Sequence, residues 1–462
     1  MRSFRGVLGL VCCATALVAQ TPQWEYLGGY PLPPNAKTPL WIAFGPRESD
    51  PQPMSTAYIL CGGVDANFNG VQDSGDVPPA LVMGWTEAGG TGFLGISLPW
   101  GPLSFPLRTI ALFDSGRTRV YLPRIDRLTV FSIPIGERLE DTLLTVGVQA
   151  VARIGDTLLL TCRTGADSGE IWFLMPDGSR DTIVVRGCPN IQQLLWDARR
   201  GQLIVLCEGV FGQQNASVHF VPLGNPDRST QVPVGDTGNF LLLEGDTLIV
   251  VANGSHELYL LDPATHSAVR QPIGVGTSGY GGPREALLLT LPNGQRTALV
   301  STYSRDIRWI DLSSGSVLQI LPLSGLAEGM ALRRFGDTLE LWVTQPFTPT
   351  YAADSTIALF RLVVPSSVPE AAMETGPRVT PSIVREGPAL VSWKLPAGST
   401  ARVWAELYDL QGRQWGRWEF AVSAAGELVA VLPVSRTQLT PGWYCVRLSA
   451  GEHRAVLPLL VQ

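Results

Sequence analysis

The stretch DANFNGVQDSGD, residues 65–76, places hard oxygen donors at alternating positions. Asp65, Asn67 and Asn69 stand at positions 1, 3 and 5 of a twelve-residue loop. Gly70 follows at 6, the Val71 carbonyl at 7, Asp73 at 9 and Asp76 at 12. Calcium takes six to eight oxygens at flexible distances, and this spacing supplies them around one sharp glycine turn. An aspartate at the last position is shorter than the glutamate usual there and would hold the ion less firmly. The competing reading is a solvated turn in which Asp and Asn side chains bond their own backbone.

The other chemistry is sparse. There are four histidines, His219, His256, His266 and His453, and none belongs to a metal or nucleophile motif. No strained Gly-x-Ser-x-Gly turn, His-Glu-x-x-His pair or phosphate-cradling glycine loop is present in the sequence. Carboxylates could still converge without a local motif. Asp236, Glu285 and Glu328 lie in or beside segments that open apolar runs, as does Arg284, and Tyr280 and the loop-proximal Trp85 and Trp100 could stack on a sugar ring. The bland reading of each is a solvated or packing residue. Five cysteines, Cys61, Cys162, Cys188, Cys207 and Cys445, follow the first twenty residues. One bridge among Cys162, Cys188 and Cys207 and a set of buried free thiols are both open.

The elements that must position these residues follow from composition and repetition. Of 462 residues 45% are hydrophobic and 16% charged, with 49 Gly and 36 Pro. That balance suits many short strands and frequent turns, and leaves little room for long helices. The net charge is −6 with no basic stripe, so nucleic acid is not an expected partner. Gly155-Asp156-Thr157-Leu158 recurs as Gly245-Asp246-Thr247-Leu248 and Gly336-Asp337-Thr338-Leu339, with weaker echoes at Gly201 and Gly294 halfway between. The period is ~45 residues, the size of a four-stranded propeller blade. In one unit, NFLLLE and TLIVVAN flank a Gly-Asp hairpin turn, ELYLLDPATH ends in an Asp-Pro turn, and AVRQPI is a more polar fourth strand. Innermost strands are expected to begin near Leu40, Thr109, Gln149, Ile191, Asn239, Glu285 and Met330, which makes seven blades. The seventh lacks a fourth strand, and WEYLGGYPL, residues 24–32, is free to supply it and close the ring. Residues 65–76 then form an insertion in a hairpin of blade one, without the flanking helices of an EF-hand.

The third strands LYLLDPATH and IRWIDLSSG and the segments GGPREALLL and LAEGMAL resemble the YVTN-type seven-bladed propellers of secreted and surface-layer proteins. The resemblance implies an all-β seven-bladed propeller over residues 21–364, and says little about function, because propellers host binding modules, lyases and hydrolases alike. After VPSSVPEAAMETGP the pattern changes. Residues 365–377 are expected to be a linker and 378–462 a small β-sandwich. LYDLQGR (407–413) and LTPGWYCVRL (439–448) resemble the C-terminal sorting domain of the type IX secretion system, although the usual Pro-Asn-Pro at the start of that domain is here Thr380-Pro381-Ser382. This resemblance implies recognition of residues 378–462 by the type IX secretion machinery, export to the outer surface or medium, and a Bacteroidota-like source. The alternative is an accessory sandwich that binds sugar or protein. Arg2 and Arg5 followed by the apolar residues 6–18 read as a signal peptide over 1–20, too short to span a bilayer, and no later run is long enough for a transmembrane helix.

Two functional classes follow. The first is a secreted or surface binding or scaffold module for a glycan or protein, using Glu285, Arg284, Glu328, Asp236 and Tyr280, with calcium as a structural ion. The alternative is a propeller-type lyase or glycoside hydrolase with carboxylates at the channel mouth. The absence of a nucleophile motif and the few histidines favour the first.

Overall fold

In a computed structural model of the chain, residues 22–45, 56–67, 73–87, 90–98, 112–113, 119–124, 127–132, 138–144, 147–276, 281–291, 293–335 and 338–363 are described, together with 378–380, 383–384, 389–394, 402–409, 413–421, 427–432, 439–440, 442–450 and 453–461. The expected leader 1–20, the linker 365–377, Thr109, Asn69, Val71 and Tyr280 lie outside the described residues. The chain divides into two compact units, residues 1–365 and 366–462.

In the first unit the described strands form seven antiparallel sheets, each of four or five strands. Their innermost strands are Pro39–Gly45, Leu112–Phe113, Gly147–Ile154, Ile191–Asp197, Gly238–Glu244, Pro283–Thr290 and Met330–Phe335. These starts lie within three residues of the expected ones. The hairpin glycines Gly155, Gly201 and Gly245 all have φ near +60°, a conformation L side chains resist, which is why the turn motif recurs so faithfully. Second strands such as Thr247–Ala252 are apolar on both faces because a blade is sandwiched between two neighbours. Outermost strands such as Arg180–Arg186 meet solvent along most of their length.

No sheet closes on itself; the ring closes by packing. Seven apolar cores sit one at each blade interface. Strand alternation builds them. Along Gln202–Cys207, Leu203, Val205 and Cys207 face blade three, and Ile204 and Leu206 face blade five. Blade seven is completed by the chain's own beginning: Trp24–Pro31 pairs antiparallel with Ala353–Val363, next to Thr338–Phe347 and Met330–Phe335. The seven-bladed reading and its closure by the N-terminal strand therefore hold.

Of the two cysteine readings, one bridge is present: Cys188 to Cys207, across 19 residues. Cys188 lies in the crossover into blade four and Cys207 ends that blade's second strand, so the bond pins the crossover to the blade. Cys61 and Cys162 are buried free thiols, and burial pushes the Cys162 thiol up to about 12.

The second unit is a small β-sandwich. Arg378–Thr380, Ala389–Lys394 and Glu427–Leu432 form one sheet. Ile383–Val384, His453–Val461, Gly442–Ala450, Arg402–Asp409 and Gln414–Ala421 form the other. Trp393, Val403, Leu407, Tyr444, Val446 and Leu459 fill the space between them. The Tyr444 hydroxyl donates to the Thr440 carbonyl at 2.8 Å, and Asp409 accepts from the Arg413 amide and the Trp415 indole. Among the described residues no helix is long and apolar enough to cross a membrane.

Candidate functional site at the channel mouth

The innermost strands share a device that aims residues at the propeller axis. In blades one, three, four, five and six the pairing of the first two strands breaks near the start, between Pro39 and Trp41, Val148 and Val151, Ile191 and Leu194, Gly238 and Phe240, and Pro283 and Ala286. A bulge bends the strand and turns the unpaired side chains out of the ladder. The residues inside these breaks include Gln149, Gln192, Gln193, Asn239, Arg284 and Glu285, an unusually polar set for innermost strands. All but Arg284 are less than a tenth exposed.

Their backbone groups are satisfied by a relay of hydroxyls. Thr161 accepts from the Ala150 amide at 3.0 Å and donates to the Gln192 carbonyl of the next blade at 2.7 Å. Ser301 repeats this in blade six, accepting from the Glu285 amide at 3.0 Å and donating to the Glu328 carbonyl at 2.8 Å. Each hydroxyl is buried and joins two blades. Thr161→Val keeps the shape but strands a buried amide and a buried carbonyl. We expect a loss of about 1–3 kcal/mol, read as a lower urea midpoint of the propeller transition, with Thr161→Ser retaining most of it.

At the mouth the charged residues are arranged in pairs. Arg284 Nε lies 3.2 and 3.0 Å from the two Glu328 oxygens, and Arg284 Nη2 3.0 Å from Oε1. Tyr303 donates its hydroxyl to Glu328 and lies under the Arg284 guanidinium, 4.6 Å from the ring centre. Glu328 is 1% exposed and Arg284 12%. Burial alone would lower the Arg284 pKa, but Glu328 and Tyr303 outweigh it and hold the group well above its ordinary value. Two blades away, Arg163 bonds Glu208 at 3.0 Å, and Gln192 donates to the same carboxylate at 2.8 Å. Burial pushes Glu208 up and Arg163 down, in each case against the pull of the partner. Glu208 of blade four and Arg284 of blade six also feel each other's charge, past blade five. The two pairs thus form one neutral network around the mouth.

Of the residues singled out from sequence, Arg284 and Glu328 come together directly, and Glu285 is the residue after Arg284. Asp236 does other work: its carboxylate accepts from the Gly212 amide at 3.2 and 3.0 Å and from the Thr237 hydroxyl at 2.8 Å, tying two rim loops. Arg163, Gln192, Glu208 and Tyr303 were not reached from sequence. A signal did exist. Cys162 and Cys207 occupy matching places in neighbouring blades, and the residue after each, Arg163 and Glu208, is the mouth pair.

Beneath the mouth is a cavity of about 350 Å³. Trp41, Gln193, Leu195, Trp196, Phe240 and Glu285 are among its lining residues, together with Leu241–Leu243. They come from the innermost strands of blades one, four, five and six, and only the central channel is bordered by all four. Gln193 has both ends of its amide on the Leu241 backbone, at 3.1 and 2.7 Å, and so stitches two blades at the channel wall.

The acidic loop of blade one is held by its own side chains. Val64 and Val77 bridge its base. Asp76 accepts from the Ala66 and Asp73 amides, both at 2.8 Å, and these bonds keep its carboxyl below the usual range. The Asn67 amide donates to Asp73 at 2.7 Å. Among the described residues, the side chains close enough to share one ion are Cys188, Cys207 and His219, whose sulfurs are bonded to each other, and Asp65, Asp73 and Asp76 do not form such a group.

No protein-family model matches the chain, and no curated protein matches it. Solved structures do. The WD40 β-propeller domain of Doa1 is similar, with a TM-score of 0.50 and 10% identity, over 74% of this chain and 97% of that one. PorZ of Porphyromonas gingivalis, described as an essential bacterial surface component of the type-IX secretion system, has a TM-score of 0.47 and 13% identity, over 91% of this chain. The chain spans 59% of PorZ. At 10% identity the likeness to the WD40 domain is one of fold, and the fold that these residues build is the β-propeller.

Proposed function

We propose that the chain is a secreted or surface-exposed binding scaffold whose propeller presents its channel-mouth face to a glycan or protein. One observation carries this reading. The buried mouth carboxylates Glu208 and Glu328 are each held by an arginine. A glycosidase or lyase needs one carboxyl free to give a proton and another free to attack or to take one. Carboxylates committed to ion pairs instead make a rigid neutral floor, and rigid loops on such a floor suit recognition. The sorting role assigned to residues 378–462 rests on the LYDLQGR and LTPGWYCVRL segments, and the YVTN-type kinship on the blade segments. Calcium at residues 65–76 would clip the long hairpin of blade one.

The test is a glycan-array and surface-protein screen with the full chain, in calcium and in chelator. A saturable partner that competes away when rim loop 209–215 is replaced supports the reading. Turnover of a polysaccharide, with products released by the wild type and lost in Glu208→Gln, would replace it with the enzymatic one. Calorimetry gives the calcium arm its own outcome: heat of binding that disappears in Asp65→Ala is expected, and a flat titration of the wild type ends that assignment.

A further inference from the structure

The face of blade four that meets blade three gathers three donors suited to a soft metal. Ser217–Pro222 pairs with Gln202–Cys207, with Ser217 opposite Cys207 and His219 opposite Val205. Alternation puts Val218 and Phe220 in the core toward blade five and Val221 in the core toward blade three, so Ser217 and His219 share the face of Cys207. Cys188 reaches that face from the crossover into the blade. The two sulfurs and a ring nitrogen of His219 all lie within 4.8 Å of one another. All three residues are buried. Backbone bonds hold the crossover as well as the sulfurs do. The Cys188 amide donates to the Asp167 carbonyl at 3.1 Å, and the Glu208 and Gly209 amides donate to the Asn190 and Pro189 carbonyls at 2.9 and 3.1 Å. A chain with free thiols therefore keeps these donors close. Their Cα atoms, 5.1 Å apart, let the sulfurs part to the about 3.8 Å that two thiolates need when each sits ~2.3 Å from one zinc ion. His219 Nε2 lies 3.1 Å from Ser217 Oγ, and the ring also bonds the Gly187 carbonyl, the kind of outer partner that orients a ligating imidazole. Two thiolates, a divalent ion and a neutral imidazole sum to zero charge, which an apolar interior tolerates.

We propose that Cys188, Cys207 and His219 bind a zinc ion in the reduced chain, with Ser217 Oγ at the fourth corner, and that the disulfide is the ion-free form of the same clip. Binding releases the two thiol protons as each sulfur becomes a thiolate ligand. Oxidation runs by exchange with an incoming disulfide. The Cys188–Cys207 bond forms, the incoming sulfur–sulfur bond breaks and takes up two electrons and two protons to give two thiols, and the ion departs. Blade four is thus pinned to its crossover both before and after the bridge closes. The site uses neither the channel mouth nor residues 65–76, so it stands apart from the rim reading.

The experiment titrates cobalt(II), then zinc, into the full chain kept reduced with a phosphine and into the oxidised chain. The reduced chain is expected to show a thiolate-to-cobalt charge-transfer band and the visible bands of a tetrahedral ion. Zinc should displace the cobalt and bind at least about a hundredfold more tightly than it binds the oxidised chain. Both forms keep every carboxylate, so the difference belongs to the sulfurs. Cys188→Ser should abolish the charge-transfer band, His219→Gln should weaken zinc at least about tenfold, and Cys162→Ser should change neither. Zinc should also raise the melting temperature of the reduced chain more than that of the oxidised one. Equal zinc binding by the two forms, no charge-transfer band in the reduced chain, a band that survives Cys188→Ser, or zinc bound by His219→Gln as tightly as by the wild type would overturn the site. A reduced chain that loses its cooperative melt and regains it with zinc supports the site, and one that does not regain it overturns it.

Discussion

Glu328→Ala in the full chain is expected to lower the stability of the propeller by about 3–5 kcal/mol, because it leaves the Arg284 guanidinium buried without its counter-charge. Among the contacts Arg284 keeps are its cation–π contact to Tyr303 and the more distant charge of Glu208. Neither replaces bonds to two carboxylate oxygens. Arg284→Met is expected to cost less, since the long apolar stem still packs and the Tyr303 hydroxyl still donates to Glu328. The double variant Arg284→Met/Glu328→Leu should recover most of the loss, because a well-packed apolar pair is often as stable as the buried ion pair it replaces. Urea melts of the four proteins in a double-mutant cycle measure this, read on the propeller transition because the chain has two units. A Glu328→Ala chain within about 1 kcal/mol of wild type would show that the mouth network is far more hydrated than its burial indicates.

The architecture was legible because it depends on patterns that survive in one dimension. Gly155 and Gly245 mark hairpins that need positive φ, and the distance between them counts two blades. Apolar runs such as TLIVVA mark strands covered on both faces. The mouth was only half legible. Arg284 and Glu328 stand out because they interrupt or precede apolar strands. Arg163 ends a second strand and Glu208 and Tyr303 follow theirs, where a polar residue looks like any loop residue, and their meeting depends on the ring bringing blades three, four, six and seven to one axis. The bulges were illegible for a related reason: they shift register within a strand by one residue and leave the apolar pattern almost intact. The disulfide shows how much alternation could have added. Cys207 shares a face with Leu203 and Val205, toward blade three, where Cys188 enters; Cys162 faces blade two. Both cysteines face the blade before their own, and the bonded one is the one whose interface Cys188 enters.

Ring closure gives the second large expected effect. Trp24 is 4% exposed and sits edge-on to Trp309 of blade six, ring centres 6.4 Å apart. Gln319 of the same blade grips its backbone from both sides, accepting from the Trp24 amide at 2.8 Å and donating to its carbonyl at 2.9 Å. One residue thus anchors the strand that completes blade seven and joins it to blade six. Trp24→Ala is expected to cost about 3–5 kcal/mol by the lost burial and the void it leaves. The consequences should exceed that figure, because a frayed Trp24–Pro31 strand bares the edge of Ala353–Val363, a long apolar strand. An unpaired edge of that kind recruits other chains, so the variant should also form soluble aggregates in size-exclusion chromatography before its main thermal transition. Trp24→Phe separates packing from hydrogen bonding. The Trp24 Nε1 finds no partner among the described residues, so a phenyl ring should retain most of the stability and suppress the aggregates. If Trp24→Ala instead melts as the wild type does and stays monomeric, Trp24 does not anchor the closing strand and the blade six–seven interface is held by its other apolar residues. The Gln319 grip and the Trp309 contact argue against that outcome, since both are spent on a segment more than 280 residues away in sequence.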